Sequence, residues 1–299
     1  MENIRGSLLM VASMAGFALE DMLIKQMAGA LPMGQVIAMI GLGGTISFTA
    51  FSVIRGNRVW SRALLSWPIL LRSLGEIIAT SAFVSAIVLT TLSSASAILQ
   101  ATPLAVTLGA ALFLHEPVGW RRWTAIGVGF VGVLLIIRPG LEGFAPESLL
   151  AVIAVAGLAL RDLAVRHVPP AVTSAQLSVW GFAVVVPTGL LMMLFLATPP
   201  VMPATVDLTR LGAAFVVGGL GYYAIVAATR TGDVAVVVPF RYTRLVFAMI
   251  LGALAFDERP DALMLAGAAL IVGAGLYTIW REGRVRRRSG PVEPSRETP

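Results

Sequence analysis

The chain has 299 residues, 57% of them apolar and 13% charged, with a net charge of +6. A soluble domain carries about one charged residue in four. This balance therefore excludes an ordinary soluble domain and leaves room for many membrane spans of roughly 20 residues each. Cysteine is absent, which excludes a disulfide framework and a thiolate metal site. The surplus arginines lie mostly in short segments between apolar runs, so they read as a topology signal and not as a nucleic-acid face.

In chain order the apolar runs predict ten helices, near 6–27, 31–54, 67–90, 93–114, 122–138, 147–167, 172–196, 209–229, 233–255 and 262–280. The first reads as a retained span and not a cleaved signal peptide, because only Arg5 precedes it and its apolar run continues into Glu20 and Asp21. Short connections separate the runs, among them TLSS (91–94), HEPVGW (115–120) and RTGD (230–233). The last stretch, 281–299, is rich in charge, Pro and Ser and reads as a disordered cytoplasmic tail. Lipid cannot satisfy free backbone groups, so spans must be helices or a closed barrel. These runs lack the alternation of barrel strands. The fold class is therefore an all-α integral membrane protein with ten transmembrane helices.

Basic residues set the orientation. With the N-terminus inside, the cytoplasmic segments hold Arg5, Arg55, Arg58, Arg62, Arg121, Arg122, Arg166, Arg230 and the cluster at 281–288, while the other side holds little beyond Arg138, Arg210 and Arg259. Both termini are thus expected in the cytoplasm, with the protein in the bacterial inner membrane.

The chain repeats itself. AGFALEDMLIK at 15–25 is echoed by AGLALRDLAVR at 156–166, an offset of 141; Gln35 matches Gln176 at the same offset; ALFLHE (111–116) matches ALAFDE (253–258) at 142. This divides the chain into 1–140 and 141–280, two copies of a five-helix unit. Five is odd, so the second copy enters the membrane from the opposite side. Such inverted repeats build many secondary transporters, with the substrate site near the midplane between the halves.

Three segments carry a family resemblance: RSLGEIIATSAFVSAIVLTTLSSASAILQATPL, LHEPVGWRRWTAIGVGFVGVLLIIRPG and PFRYTRLVFAMILGALAFDERPDALMLAGAALIVGAGLY. They resemble the two EamA-type repeats of the drug/metabolite transporter superfamily, over nearly all of residues 6–280. The resemblance implies a central cavity between the halves and alternating access. Ten-helix members of that superfamily include exporters of amino acids and other metabolites.

Ionisable groups within a span cost about 2.5–3.5 kcal/mol each near its centre on insertion scales, so each needs a partner or a use. Asp21–Lys25 and Asp162–Arg166 are spaced i,i+4 with the acid first, and Arg72–Glu76 has the reverse order; all three read as pairs within one helix. Glu20 and Arg161 hold equivalent positions with opposite charge, which suggests an ion pair across the pseudo-two-fold axis. Arg241 and Arg244 have no acid three or four residues away on the ninth span, and one or the other is expected to bind an anionic group of the substrate. The alternative for them is backbone carbonyls or Glu76.

Tyr222, Tyr223, Tyr242, Trp180, Gln100 and Thr102 lie at comparable depth, and an aromatic rim would suit a ring-bearing substrate. Tyr222 and Tyr223 point about 100° apart on a helix, so at most one faces a given cavity. Pro103 and Pro239 interrupt the fourth and ninth spans, as hinges or as fixed kinks. The glycines in 127–132 and 267–275 read as close helix packing.

The expected function is secondary transport of a small metabolite, first an amino acid, with an aromatic one allowed, moved outward. The alternative is an uptake or exchange carrier for a nucleoside-like or cationic metabolite. An intramembrane enzyme is the remote reading: His115 and His167 lie apart at membrane edges, and no ligand cluster or Walker motif occurs. No cofactor or metal is expected. The expected partners are a small-molecule substrate and the lipid bilayer, with no nucleic acid, protons as a candidate coupling ion and a monomer as the unit.

Overall fold

A computed structural model describes residues 2–288, apart from 57, 117, 142–143 and 232. Its helices are α1 (Glu2–Met27), α2 (Met33–Ile54), α3 (Trp67–Leu89), α4 (Leu92–Leu99), α5 (Thr102–Phe113), α6 (Trp120–Ile137), α7 (Ser148–Val165), α8 (Ser174–Phe195), α9 (Thr205–Thr231), α10 (Val234–Val237), α11 (Thr243–Phe256) and α12 (Ala262–Arg288). Among the described residues ten helices are long and apolar enough to cross a membrane. The fourth of these is α4 plus α5, and the ninth is built on α11. Each lies within a few residues of its expected range. The last helix runs on to Arg288, so 281–288, read from the sequence as tail, is helical; 289–299 falls outside the described residues.

The helices pair as an inverted duplication requires. If span n corresponds to span n+5, a contact between the first and eighth spans must recur between the sixth and third. The packed pairs include α1 with α9, α7 with α3, α2 with α8 and α6 with α12. The first two are images of one another, and the last two join a span to its own image. The contact of α1 with α11 likewise returns as that of α7 with α4 and α5.

Small residues bring these pairs close, because association in lipid rests on van der Waals contact and not on a hydrophobic drive. A Cβ on Gly34 would lie 2.5 Å from the Gly189 carbonyl oxygen, and one on Gly132 would lie 2.7 Å from that of Gly267. On Gly157 of α7 it would lie 2.6 Å from the Ala79 amide nitrogen on α3. Outward, Leu194, Phe195 and Leu254 are exposed, as a surface in contact with acyl chains should be. The matched glutamines anchor helix ends. Gln176 forms a capping box with Thr173 at the start of α8, while Gln35, at the start of α2, exchanges hydrogen bonds with the Val201 backbone at 2.6 and 2.9 Å.

The fourth and ninth spans are broken at matching points. The fourth is interrupted at Gln100–Ala101, with Pro103 in the first turn of α5; in the ninth, Pro239 sits in a 3-10 segment, Val238–Tyr242, ahead of α11. Gln100 Nε2 bridges the breaks by donating to the Arg241 carbonyl at 3.2 Å.

Apolar packing is unequal between the faces. Chain order puts the ends of α1, α3, α6 and α11 and the starts of α2, α4, α7 and α12 on the face opposite the N-terminus, hereafter the far face. The largest buried cluster, including Met27, Val36, Ile87, Leu92, Ile137, Ala151 and Met264, reaches from there to the middle of the bundle. Clusters toward the N-terminal, or near, face are small, such as Met10, Met14, Ala228 and Val237. Apolar packing is therefore heavier toward the far face.

Gly157→Val should lower thermal stability in detergent by about 1–3 kcal/mol or prevent folding, since the α3–α7 contact cannot open without losing its packing. Gly127→Ala, where the added carbon meets open space, should melt at or above the wild-type temperature. Equal melting of wild type and Gly157→Val would contradict the close approach.

Candidate functional site

Between the halves lies a cavity of about 360 Å³, at the low end of volumes typical for small-molecule sites. Six of its lining residues are acidic or basic: Glu20, Asp21, Arg72, Glu76, Arg161 and Arg244. Arg244 on α11 donates two hydrogen bonds to Asp21 Oδ2 on α1, at 2.6 and 3.2 Å. Arg161 on α7 donates to its neighbour Asp162 at 2.9 Å and lies 3.6 Å from Glu76 on α3. Arg72 sits 3.8 Å from the same Glu76 oxygen, and its buried Nε and Nη1 have no hydrogen-bond partner among the described residues. Glu20 makes no ion pair or hydrogen bond among the described residues. Its carboxylate rests against Gly218, where a Cβ would approach it to 2.7 Å.

These geometries correct several sequence expectations. Asp21 pairs with Arg244 and not with Lys25, because Arg244 reaches across from the ninth span with a two-donor fork while Lys25 points to the far face. Asp162 pairs with Arg161 and not with Arg166. The Glu20–Arg161 pair across the axis does not form, since Arg161 is held by two nearer carboxylates. Arg72 and Glu76 are neighbours as expected, with Arg161 as a third member. Arg244 is neutralised by Asp21, so it is not the spare cation that its own helix suggested.

Of the aromatic and polar candidates, Tyr222 lines the cavity and Tyr223, 73% exposed, faces away. The Tyr222 hydroxyl is 3.0 Å from Ser178 Oγ, and Phe48 packs edge-on to Tyr222 and stacked on Phe182. Phe182 and Phe83 also line the wall. Four expected residues stand elsewhere. Trp180 donates to Ser73 Oγ and packs on Trp60; Tyr242 is buried beside Gly275; Gln100 is engaged with the Arg241 backbone; and Arg241 is exposed and outside the cavity lining. Thr102 donates to the Leu99 carbonyl at the helix break. Ser178 and Phe182 escaped the sequence reading because α8 is apolar all round, so no stripe distinguished its cavity face.

Two further ion pairs flank the cavity. At the far face, Lys25 Nζ donates to Glu258 at 3.0 Å and to the Thr90 carbonyl at 2.6 Å. Glu258 also accepts from the Leu92 and Ser93 amides, at 2.6 and 3.0 Å, and from Ser93 Oγ at 2.7 Å. Burial works to raise the Glu258 carboxyl, but the bonds from Ser93, Leu92 and Lys25 outweigh it and hold the group below its ordinary range. At the near face Arg166 donates to Glu116 at 2.6 Å. Both glutamates are aimed by the same turn. His115 and Asp257 adopt left-handed φ values of 54° and 52°, a region these residue types favour. The following amides turn back to the Ala110 and Gly252 carbonyls at 3.2 and 3.1 Å.

The inverted helix pairing and the cavity between the halves invite comparison with known transporters. A family model described as "EamA-like transporter family" matches residues 4–138 and again 146–280. The chain belongs to the EamA-like transporter family. Two relatives within reach of this EamA-like chain are an S-adenosylmethionine uptake transporter of Rickettsia bellii, 30% identical over 190 residues, and a riboflavin transporter of Vibrio cholerae, 33% identical over 195. Each match covers 64% of this chain and 64% of the relative's length. A riboflavin transporter of Rhizobium johnstonii is 28% identical over 222 residues, covering 74% of this chain and 73% of that one. A solved structure described as "Crystal structure of protein" superposes with a TM-score of 0.55 at 22% identity, covering 94% of this chain and 99% of that one. That likeness concerns the EamA-like fold alone.

Breaking one member of a buried pair strands its partner's charge, at a cost of about 3–5 kcal/mol. Asp21→Asn alone and Arg244→Gln alone should each destabilise the protein by about that order, and the double variant should recover most of the loss. Additive losses in a double-mutant cycle on detergent-state unfolding would show that the two side chains do not act as a pair.

Proposed function

We propose that the chain is a secondary transporter that takes up or exchanges a nucleoside-like or cationic metabolite by alternating access of its two inverted halves. The observation that carries this reading is the charge balance of the cavity. Asp21 is matched by Arg244, and Glu76 and Asp162 by Arg161 and Arg72, so Glu20 is the lining carboxylate left without a partner among the described residues. A cationic group on the ligand would complete it. The Arg72 donors that have no partner among the described residues suit a carbonyl, hydroxyl or carboxylate oxygen, and Phe182, Tyr222 and Phe83 offer apolar ring faces for a heteroaromatic group.

The names of the relatives support the same direction. S-adenosylmethionine is a sulfonium cation on an adenosine, and riboflavin is a flat heteroaromatic ring on a hydroxylated chain. Both belong with the nucleoside-like and cationic alternative. Outward movement of an amino acid, the first expectation, draws no support from those names. Of the two arginines on which it rested, Arg244 is taken by Asp21 and Arg241 lies outside the cavity lining. The arginine distribution along the chain supports placement in the bacterial cytoplasmic membrane with both termini in the cytoplasm.

In proteoliposomes, labelled S-adenosylmethionine or riboflavin should enter saturably, compete with one another, and resist competition by tryptophan or leucine. Glu20→Gln should slow uptake of the cation by about tenfold or more, the worth of one charge-assisted contact. Accumulation of amino acids with no response to either ring-bearing compound would overturn the reading.

A further inference from the structure

The pairs Lys25–Glu258 and Arg166–Glu116 are the same interaction seen twice. Lys25 and Arg166 stand at the repeat offset of 141, and Glu116 and Glu258 at 142. The parallel extends to their setting, since the hydroxyls of Thr90 and Thr231 bond back to the Ala86 and Ala227 carbonyls at 2.6 and 2.8 Å, again 141 apart. Inversion puts one pair at each face; both ion pairs are formed, at 3.0 and 2.6 Å, and they differ in burial. The far pair is closed: its side chains are 13% and 6% exposed, and the carboxylate also holds the N-terminal amides of α4. The near pair is 44% and 46% exposed.

We propose that the two glutamates are alternating latches, each closing its face when its carboxylate takes up the helix start beside it, as Glu258 does at α4, and that Ser93 biases the carrier to rest with the far face shut. In the closed far latch the Ser93 hydroxyl donates to Glu258 at 2.7 Å. At either repeat offset its counterpart in the second half is apolar, Val234 or Ala235. Closing the near face therefore gains one hydrogen bond fewer. The heavier apolar packing toward the far face, the buried far pair and the exposed near pair are what such a bias leaves at rest. A carrier must visit both states, so the imbalance has to be small enough for binding to reverse it.

This rests on the alternating-access part of the reading above and not on its substrate. The absence of cysteine allows spin labels to be placed without background. Gly29→Cys with Arg259→Cys spans the far face, and Gly119→Cys with His167→Cys spans the near face; all four positions are exposed. Electron–electron distance distributions are then recorded for otherwise wild-type protein, Glu258→Gln and the milder Ser93→Ala. The expected result is a rise of an order of magnitude in a long far-face population in Glu258→Gln, a smaller rise in Ser93→Ala, and matching shortening at the near face. Far-face lengthening without near-face shortening would mark a local staple and overturn the proposal, as would unchanged distributions in both variants. The same labelled proteins with saturating S-adenosylmethionine or riboflavin separate the two claims. Reciprocal shifts with ligand but none with Glu258→Gln would sink the latches and leave alternating access standing. No reciprocal shift under any condition would sink both.

Discussion

Three carboxylates and three guanidinium groups cannot line one cavity inside a membrane protein unless their charges are arranged to cancel, and the arrangement centres on Arg244 and Asp21. That pair ties the first span to the ninth across the two halves, in a setting where a stranded charge costs several kcal/mol. Once Arg244 is committed to Asp21, the remaining cations, Arg72 and Arg161, gather on Glu76 and Asp162. Glu20 is then the carboxylate with no partner among the described residues, one position along α1 from a fully engaged aspartate. The ligand chemistry proposed here follows from that remainder.

The inverted repeat supplies the frame in which this happens. Because each half enters the membrane from its own side, the main contacts between halves have images, and small residues at Gly34/Gly189, Gly75/Gly157 and Gly132/Gly267 let those contacts close to backbone distance. The same symmetry places one glutamate turn at each face. Function needs the symmetry to be imperfect. Glu20 against Arg161 makes the two sides of the cavity electrically different, and Ser93 against an apolar residue makes the two faces unequally easy to shut.

The spans and the duplication were legible in the sequence because they depend on hydropathy and on a constant offset, both properties of the chain by itself. The pairings were not. Asp21 and Lys25 have favourable i,i+4 spacing, yet each is taken by a residue more than 200 positions away, Arg244 and Glu258. Local spacing ranks partners only when no better one arrives from another helix. A usable signal existed, since ALFLHE and ALAFDE repeat at nearly the offset that relates Lys25 to Arg166, and a repeated base with a repeated acid implies a repeated bond. The cavity wall was the least legible part. Helices buried against protein on one side and lipid on the other are apolar on both. Nothing in the composition of α8 therefore separated Phe182, which lines the cavity, from Phe195, which faces outward.

The most direct test of the central claim, an unpartnered carboxylate waiting for a cation, is equilibrium binding of two ligands that differ by that charge. S-adenosylmethionine carries the sulfonium, and S-adenosylhomocysteine replaces it with a neutral thioether. By titration calorimetry on purified protein, the sulfonium compound should bind about tenfold tighter or better, and the preference should vanish in Glu20→Gln. Equal affinity for the two in the wild type, a preference that survives Glu20→Gln, or binding of neither would contradict it.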